Sequence, residues 1–144
     1  MLKKVKLDIR SFIDNLDECG KSDGDPEISR STVIGTMKIY SDEISLSYKE
    51  SGEGGEVSTD ILKTAGGITV TRRGAISSTL RFAEGEKFET VYSIPPYKFD
   101  MTVTTVRMTD ELSEHGGSFD VIYLMSVGGA NKKCRMRISV SEVK

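Results

Sequence analysis

Apolar and polar residues alternate with a period of two from one end of this chain to the other. Near the start, Val5, Leu7 and Ile9 interleave with Lys4, Lys6, Asp8 and Arg10. Successive side chains of a strand point to opposite faces, so such a run is a half-buried strand and not a helix. The pattern returns in 29–40, 43–50, 56–65, 67–73, 75–82, 87–94, 97–109, 118–127 and 132–142. Turn signals separate the runs: "SDE", "SGEGGE", "AGG", Arg73-Gly74, "AEGE", Pro95-Pro96, "DELSEHGGS" and "GGAN". Strands punctuated about every 8–12 residues predict an all-β sandwich or barrel. Gly35 falls inside the second run and marks a bulge or bend. One helical turn fits "TDELSEH", with Thr109 as its N-cap and Leu112 docking it. No βαβ unit is present, which excludes a parallel nucleotide-binding sheet.

A chain of strands must dispose of its sheet edges, and closing the sheet removes them. The expected fold is a single closed antiparallel up-and-down β-barrel, one domain over 1–144. A chain of 144 residues can bury about two-thirds of its unfolded surface, enough to fold without disulfides or metal. Residues 15–28, "NLDECGKSDGDPEI", form an acidic loop poor in apolar side chains and read as mobile.

Twenty basic and 22 acidic residues leave a net charge of −2, with a pI near 5.5. Nucleic-acid binders carry a basic face or a pI above about 9, so no nucleic-acid partner is expected. There is no apolar run long enough for a membrane-spanning helix, and the basic start lacks the apolar core of a signal peptide. Cys19 and Cys134 have neither a CxxC spacing nor a nearby histidine, and read as free thiols of a cytoplasmic protein. No cofactor and no metal site are expected.

Strand phase also says which polar residues turn inward. Tyr48 and Glu50 continue the face of Ile44 and Leu46; Arg72 follows Ile68 and Val70. Tyr92 shares its face with Phe88, Thr90 and Ile94. Arg107 follows Tyr97, Phe99, Met101, Val103 and Thr105, and Tyr123 follows Phe119 and Val121. A buried charge must be paired or must reach solvent. Glu50 and Arg72 are therefore expected to pair near one mouth of the barrel, or Arg72 and the tyrosines to hold the carboxylate or phosphate of a ligand, with Glu50 positioning them. In the first case Glu50→Ala leaves a lone buried cation and costs about 3–5 kcal/mol. The candidate ligand-binding set is Tyr48, Glu50, Arg72, Tyr92, Arg107 and Tyr123.

Other residues carry less. His115 is the one histidine and lies in a turn with no partner that would make it a base. "SGEGGE" lacks the GK[ST] ending of a phosphate loop. Arg135 and Arg137 alternate with Cys134, Met136 and Ile138 and line an outer face, solvated or weakly attractive to anions.

The stretches "LSYKES", "ITVTRRGAISSTLRFAEGEKFETVYSIPPYKFDMTVTT" and "FDVIYLMSV" resemble the DUF1934 family, the YwiB-like proteins of Firmicutes. The resemblance rests on Tyr48 and Glu50, Arg72 and Gly74, Phe82 and Gly85, Tyr92 and Pro95, and Tyr123. It departs at Tyr97, where the family pattern has glycine. It implies a calycin-like, lipocalin-like small barrel in a cytoplasmic bacterial protein, and it supplies no activity. The sequence thus predicts a non-enzymatic barrel that binds a small anionic or amphipathic ligand. The alternative is a filled barrel acting as an interaction module. Either form is a monomer or a homodimer.

Overall fold

In the computed structural model, residues 2–52 and 54–143 are described. Met1 and Lys144, the ends of the expected domain, and Glu53 of the "SGEGGE" hairpin lie outside the described residues. Ten strands follow one another: β1 (Leu2–Leu16), β2 (Glu27–Ile39), β3 (Ile44–Gly52), β4 (Gly55–Thr64), β5 (Gly67–Gly74), β6 (Ser78–Phe82), β7 (Lys87–Ile94), β8 (Tyr97–Asp110), β9 (Gly117–Val127) and β10 (Ala130–Glu142). They form one antiparallel sheet in the order β6-β5-β4-β3-β2-β1-β10-β9-β8-β7. Sequence neighbours are spatial neighbours throughout, except where β1 meets β10. This is the up-and-down order that short turns produce. No helix of the described residues is long and apolar enough to cross a membrane.

The sheet curls until its two ends meet, but they do not zip. Between β6 and β7 the backbone bridges once, at Ser77 and Ser93, each N–H donating to the other's carbonyl at 2.9 Å. The expected closed barrel is therefore a nearly closed one with an unsealed seam. At this seam β6 is five residues long and its ladder runs to β5 alone.

Two other expectations change. The acidic loop is shorter than 15–28, because pairing runs to Leu16 and resumes at Glu27. Asp17 Oδ1 accepts from the N–H groups of Cys19 and Lys21, each at 2.9 Å. No helical turn forms at 109–115. β8 continues through Thr109, and Leu112 is buried beyond it without a helix to dock.

Inside, the barrel divides into a filled end and a hollow end. Val5 and Leu7 of β1, Val70 of β5, Phe82 of β6, Phe119 and Val121 of β9, and Ile138 of β10 are fully buried at one end. Each such side chain contributes roughly 1.5–3 kcal/mol by leaving water. Moving along the same strands, Ile9, Arg72, Ser78, Tyr123 and Met136 surround a void instead.

The β7–β8 hairpin, turned at the cis Pro95–Pro96 peptide, extends past that rim. β9 pairs with β8 only from Met101 onward, so Tyr97–Asp100 have β7 as their single neighbour. Tyr97 (65% exposed) and Phe99 (39%) thus face solvent despite an inward phase, because no core lies beneath them.

Candidate functional site

The hollow end is a cavity of about 260 Å³. Its walls are apolar: Ile9, Ile13, Leu80, Met101, Met125, Val127 and Met136. Its polar groups are Ser11, Arg72, Ser78, Tyr92, Tyr123 and Lys132, and no carboxylate among the described residues lines it. The arrangement follows from register. Tyr48, Thr59, Arg72 and Ser78 are successive cross-strand partners on β3, β4, β5 and β6, which sets four polar side chains in one inward row. Opposite them, Tyr123 pairs with Cys134 and Met125 with Lys132.

Arg72 is the centre of this row. Its charge reaches both Tyr48 and Tyr123 and opposes the burial that drives their hydroxyl pKa values upward. Tyr48 is further held by the Thr59 side chain. Tyr123 stands opposite Cys134 across β9 and β10, and its ring packs on Phe82 at 4.8 Å between centroids. Ser78 is 6% exposed, and its hydroxyl is sealed from solvent and has no partner among the described residues. Thr105 Oγ1 is the other buried hydroxyl in that condition. Arg72 likewise has no carboxylate within ion-pair distance among the described residues.

Of the six residues nominated from sequence, Arg72, Tyr92 and Tyr123 line the cavity. Tyr48 is buried behind Arg72. Glu50 is only half-buried and makes no ion pair with Arg72. It sits on β3 past the point where β2 has parted from that strand, since their pairing covers Thr36–Ile39 alone. The large penalty for Glu50→Ala loses its premise. Arg107 is a correction: it is exposed on the outside. Thr105 pairs with Tyr123 and Arg107 with Ile122, so Val106 is an extra residue. A bulge of this kind reverses the phase of everything after it, and Met108 packs against the core in place of Arg107.

Three polar lining residues were not nominated. Lys132 lies two residues before Cys134 and Ser78 two before Leu80, so strand phase was enough to find both. Ser11 shares the face of Ile9 and Ile13. None stood out, because a serine or a strand-end lysine is unremarkable until something faces it.

Burial pushes the Cys134 thiol from an ordinary 9.0 up to about 11, with Tyr123 and Lys132 pulling the other way. The folded state thus keeps a proton that the unfolded chain releases above about pH 9. The contribution is complete below pH 9 and is lost as pH rises toward 11, at up to about 1.4 kcal/mol per pH unit. Tyr48 and Tyr123, also raised, add to the loss above pH 10. Urea unfolding at pH 8, 9.5 and 10.5 is expected to show a midpoint falling steadily; a flat profile would show that Cys134 ionises freely in the fold.

A sequence model of the family described as "Domain of unknown function (DUF1934)" matches residues 16–138. Among curated proteins, the chain is similar to the "Uncharacterized beta-barrel protein YwiB" of Bacillus subtilis (strain 168). The two are 25% identical over 124 residues, which are 86% of this chain and 82% of the relative. Among solved structures, the fold is similar to the crystal structure of the ywiB protein from Bacillus subtilis. That likeness has a TM-score of 0.85 at 23% identity and covers 99% of this chain and 94% of the other. With the family match spanning most of its length, the chain belongs to the DUF1934 family.

Proposed function

We propose that this barrel binds one small amphipathic anion at its hollow end, in the calycin-like or lipocalin-like manner, and performs no catalysis of its own. The observation that carries this reading is the cavity of about 260 Å³ in which Arg72 and Lys132 meet apolar walls, with no carboxylate among the described residues that line it. A guanidinium presents a planar fork suited to a carboxylate. Three methionines in the wall suit a flexible chain, since methionine repacks easily. At about 30 Å³ per water, the space holds roughly nine non-hydrogen atoms, with the open mouth left for the rest of a slightly longer chain. The exposed Cys19 and buried Cys134 are free thiols, in keeping with a reducing, cytoplasmic setting.

Octanoate is a probe of this size and chemistry. It is expected to raise the unfolding free energy, by about 2.7 kcal/mol at a hundred times its Kd. Octylammonium, with the opposite charge, is expected to do nothing. Arg72→Met removes a half-buried cation that has no ion-pair partner among the described residues, so the ligand-free protein should be no less stable, while octanoate affinity drops at least about tenfold. Native mass spectrometry of protein purified gently from cells provides the second readout. No octanoate shift at millimolar concentration, together with a bare-chain mass, would sink the reading.

A further inference from the structure

We infer that the outer face of β2, β1 and β10 carries a second anion site, separate from the cavity and suited to a nucleoside monophosphate. Pairing register builds it. Arg30 faces Arg10 across β2 and β1, and Arg10 faces Arg137 across β1 and β10. In the next row, Ile28 faces Phe12 and Phe12 faces Arg135. Like charges directly opposite one another on a sheet are unfavourable, yet three arginines stand in line here on a chain of net charge −2.

Two carboxylates lie among these arginines, and both are occupied. Asp8 accepts from Arg30 Nε at 3.2 Å and Nη2 at 3.0 Å. Asp120 accepts from Arg135 Nε at 3.1 Å and Nη2 at 2.6 Å. Arg10 and Arg137 are left with long contacts to those same acids, 3.7 and 4.0 Å. Their side chains are 57% and 50% exposed and stand side by side. Beyond Phe12, Asp14 is opposite Lys133 and takes the Ser22 hydroxyl, so it does not quench the pair.

Two adjacent guanidinium forks with no full partner match the oxygens of one phosphate dianion. They line a groove of about 410 Å³ whose other walls include Phe12 and Ile28, with no carboxylate lining it. Phe12 is 38% exposed and Ile28 74%, an aromatic ring and an aliphatic side chain open to solvent beside the charge. A phosphate carrying a flat ring uses both halves: the phosphate bridges Arg10 and Arg137, and the base lies on Phe12 and Ile28. An unadorned phosphate uses one half alone.

The test is an NMR titration of amide and arginine Nε–H resonances with AMP, inorganic phosphate and adenosine at low salt. AMP is expected to shift Arg10, Phe12 and Arg137, phosphate to shift the arginines more weakly, and adenosine least. Arg10→Gln combined with Arg137→Gln should weaken AMP at least about tenfold. Either single variant should weaken it measurably, whereas Arg73→Gln, the same one-unit charge change on β5, should not. Phe12→Ala should keep phosphate binding but erase the advantage of AMP over it. These arginine side chains are exposed, so the variants are expected to fold, and their melting curves check it. Failure of millimolar AMP to move the Arg10 and Arg137 resonances, or equal AMP affinity in the double variant, overturns the inference.

Discussion

Phe82→Ala is expected to destabilise the barrel by about 3–5 kcal/mol, the cost of removing a large aromatic side chain from a closed core. Phe82 is 0% exposed. It ends β6, the five-residue strand whose ladder runs to β5 alone, and pairs there with Ile68. Its ring meets Tyr123 at 4.8 Å and 51° between planes, which ties the seam strand to β9 across the interior. Truncation removes that tie and opens a void on the filled side of an existing cavity. Urea unfolding should show the midpoint falling sharply with little change in slope. A cost below about 1 kcal/mol would mean that the seam strand does not depend on this ring for its place.

Gly35→Ala is the second large effect, at about 3 kcal/mol or more, from adding one methyl group. A Cβ at Gly35 would lie 2.4 Å from the Ser47 carbonyl oxygen and 3.1 Å from both Leu7 Cδ1 and Tyr48 Cβ. The first neighbour is backbone and cannot swing aside. Gly35 marks the point where β2 leaves β3: pairing with β3 covers Thr36–Ile39, while pairing with β1 continues to Glu27. The missing side chain lets three strands converge at a corner of the barrel. Ala is expected to prise β2 from β3, lowering the thermal midpoint and loosening Tyr48. If the melting point of Gly35→Ala matches the parent, the close approach at Ser47 is not a feature of the folded protein.

Strand phase, read from the sequence, located Tyr48, Arg72, Tyr92 and Tyr123 on inward positions, and those positions are where the structure has them. It succeeded because period-two alternation is a local property: each residue's face follows from its neighbour's. The same rule failed at Arg107. One extra residue, Val106, turns the phase over, and a bulge leaves no mark in a run of Thr and Val. It failed differently at Tyr97 and Phe99, where the phase is kept but the hairpin outruns the core.

The Glu50–Arg72 pair was inferred from two inward charges near strand ends, but partner choice is not local. Glu50 pairs across the ladder with Val57, one inward row beyond the Tyr48–Thr59–Arg72 row. The sequence by itself determined the class of fold and, up to the bulge at Val106, the strand phases that turn Tyr48 and Tyr123 inward. The tertiary structure alone decided which residues meet: Arg72 with Ser78, Lys132 with the hollow end, and Arg10 with Arg137 on the opposite surface. The physical reason is register. Alternation says which face a side chain takes, whereas cross-strand pairing, curvature and bulges set what stands beside it, and these depend on residues far away in the chain.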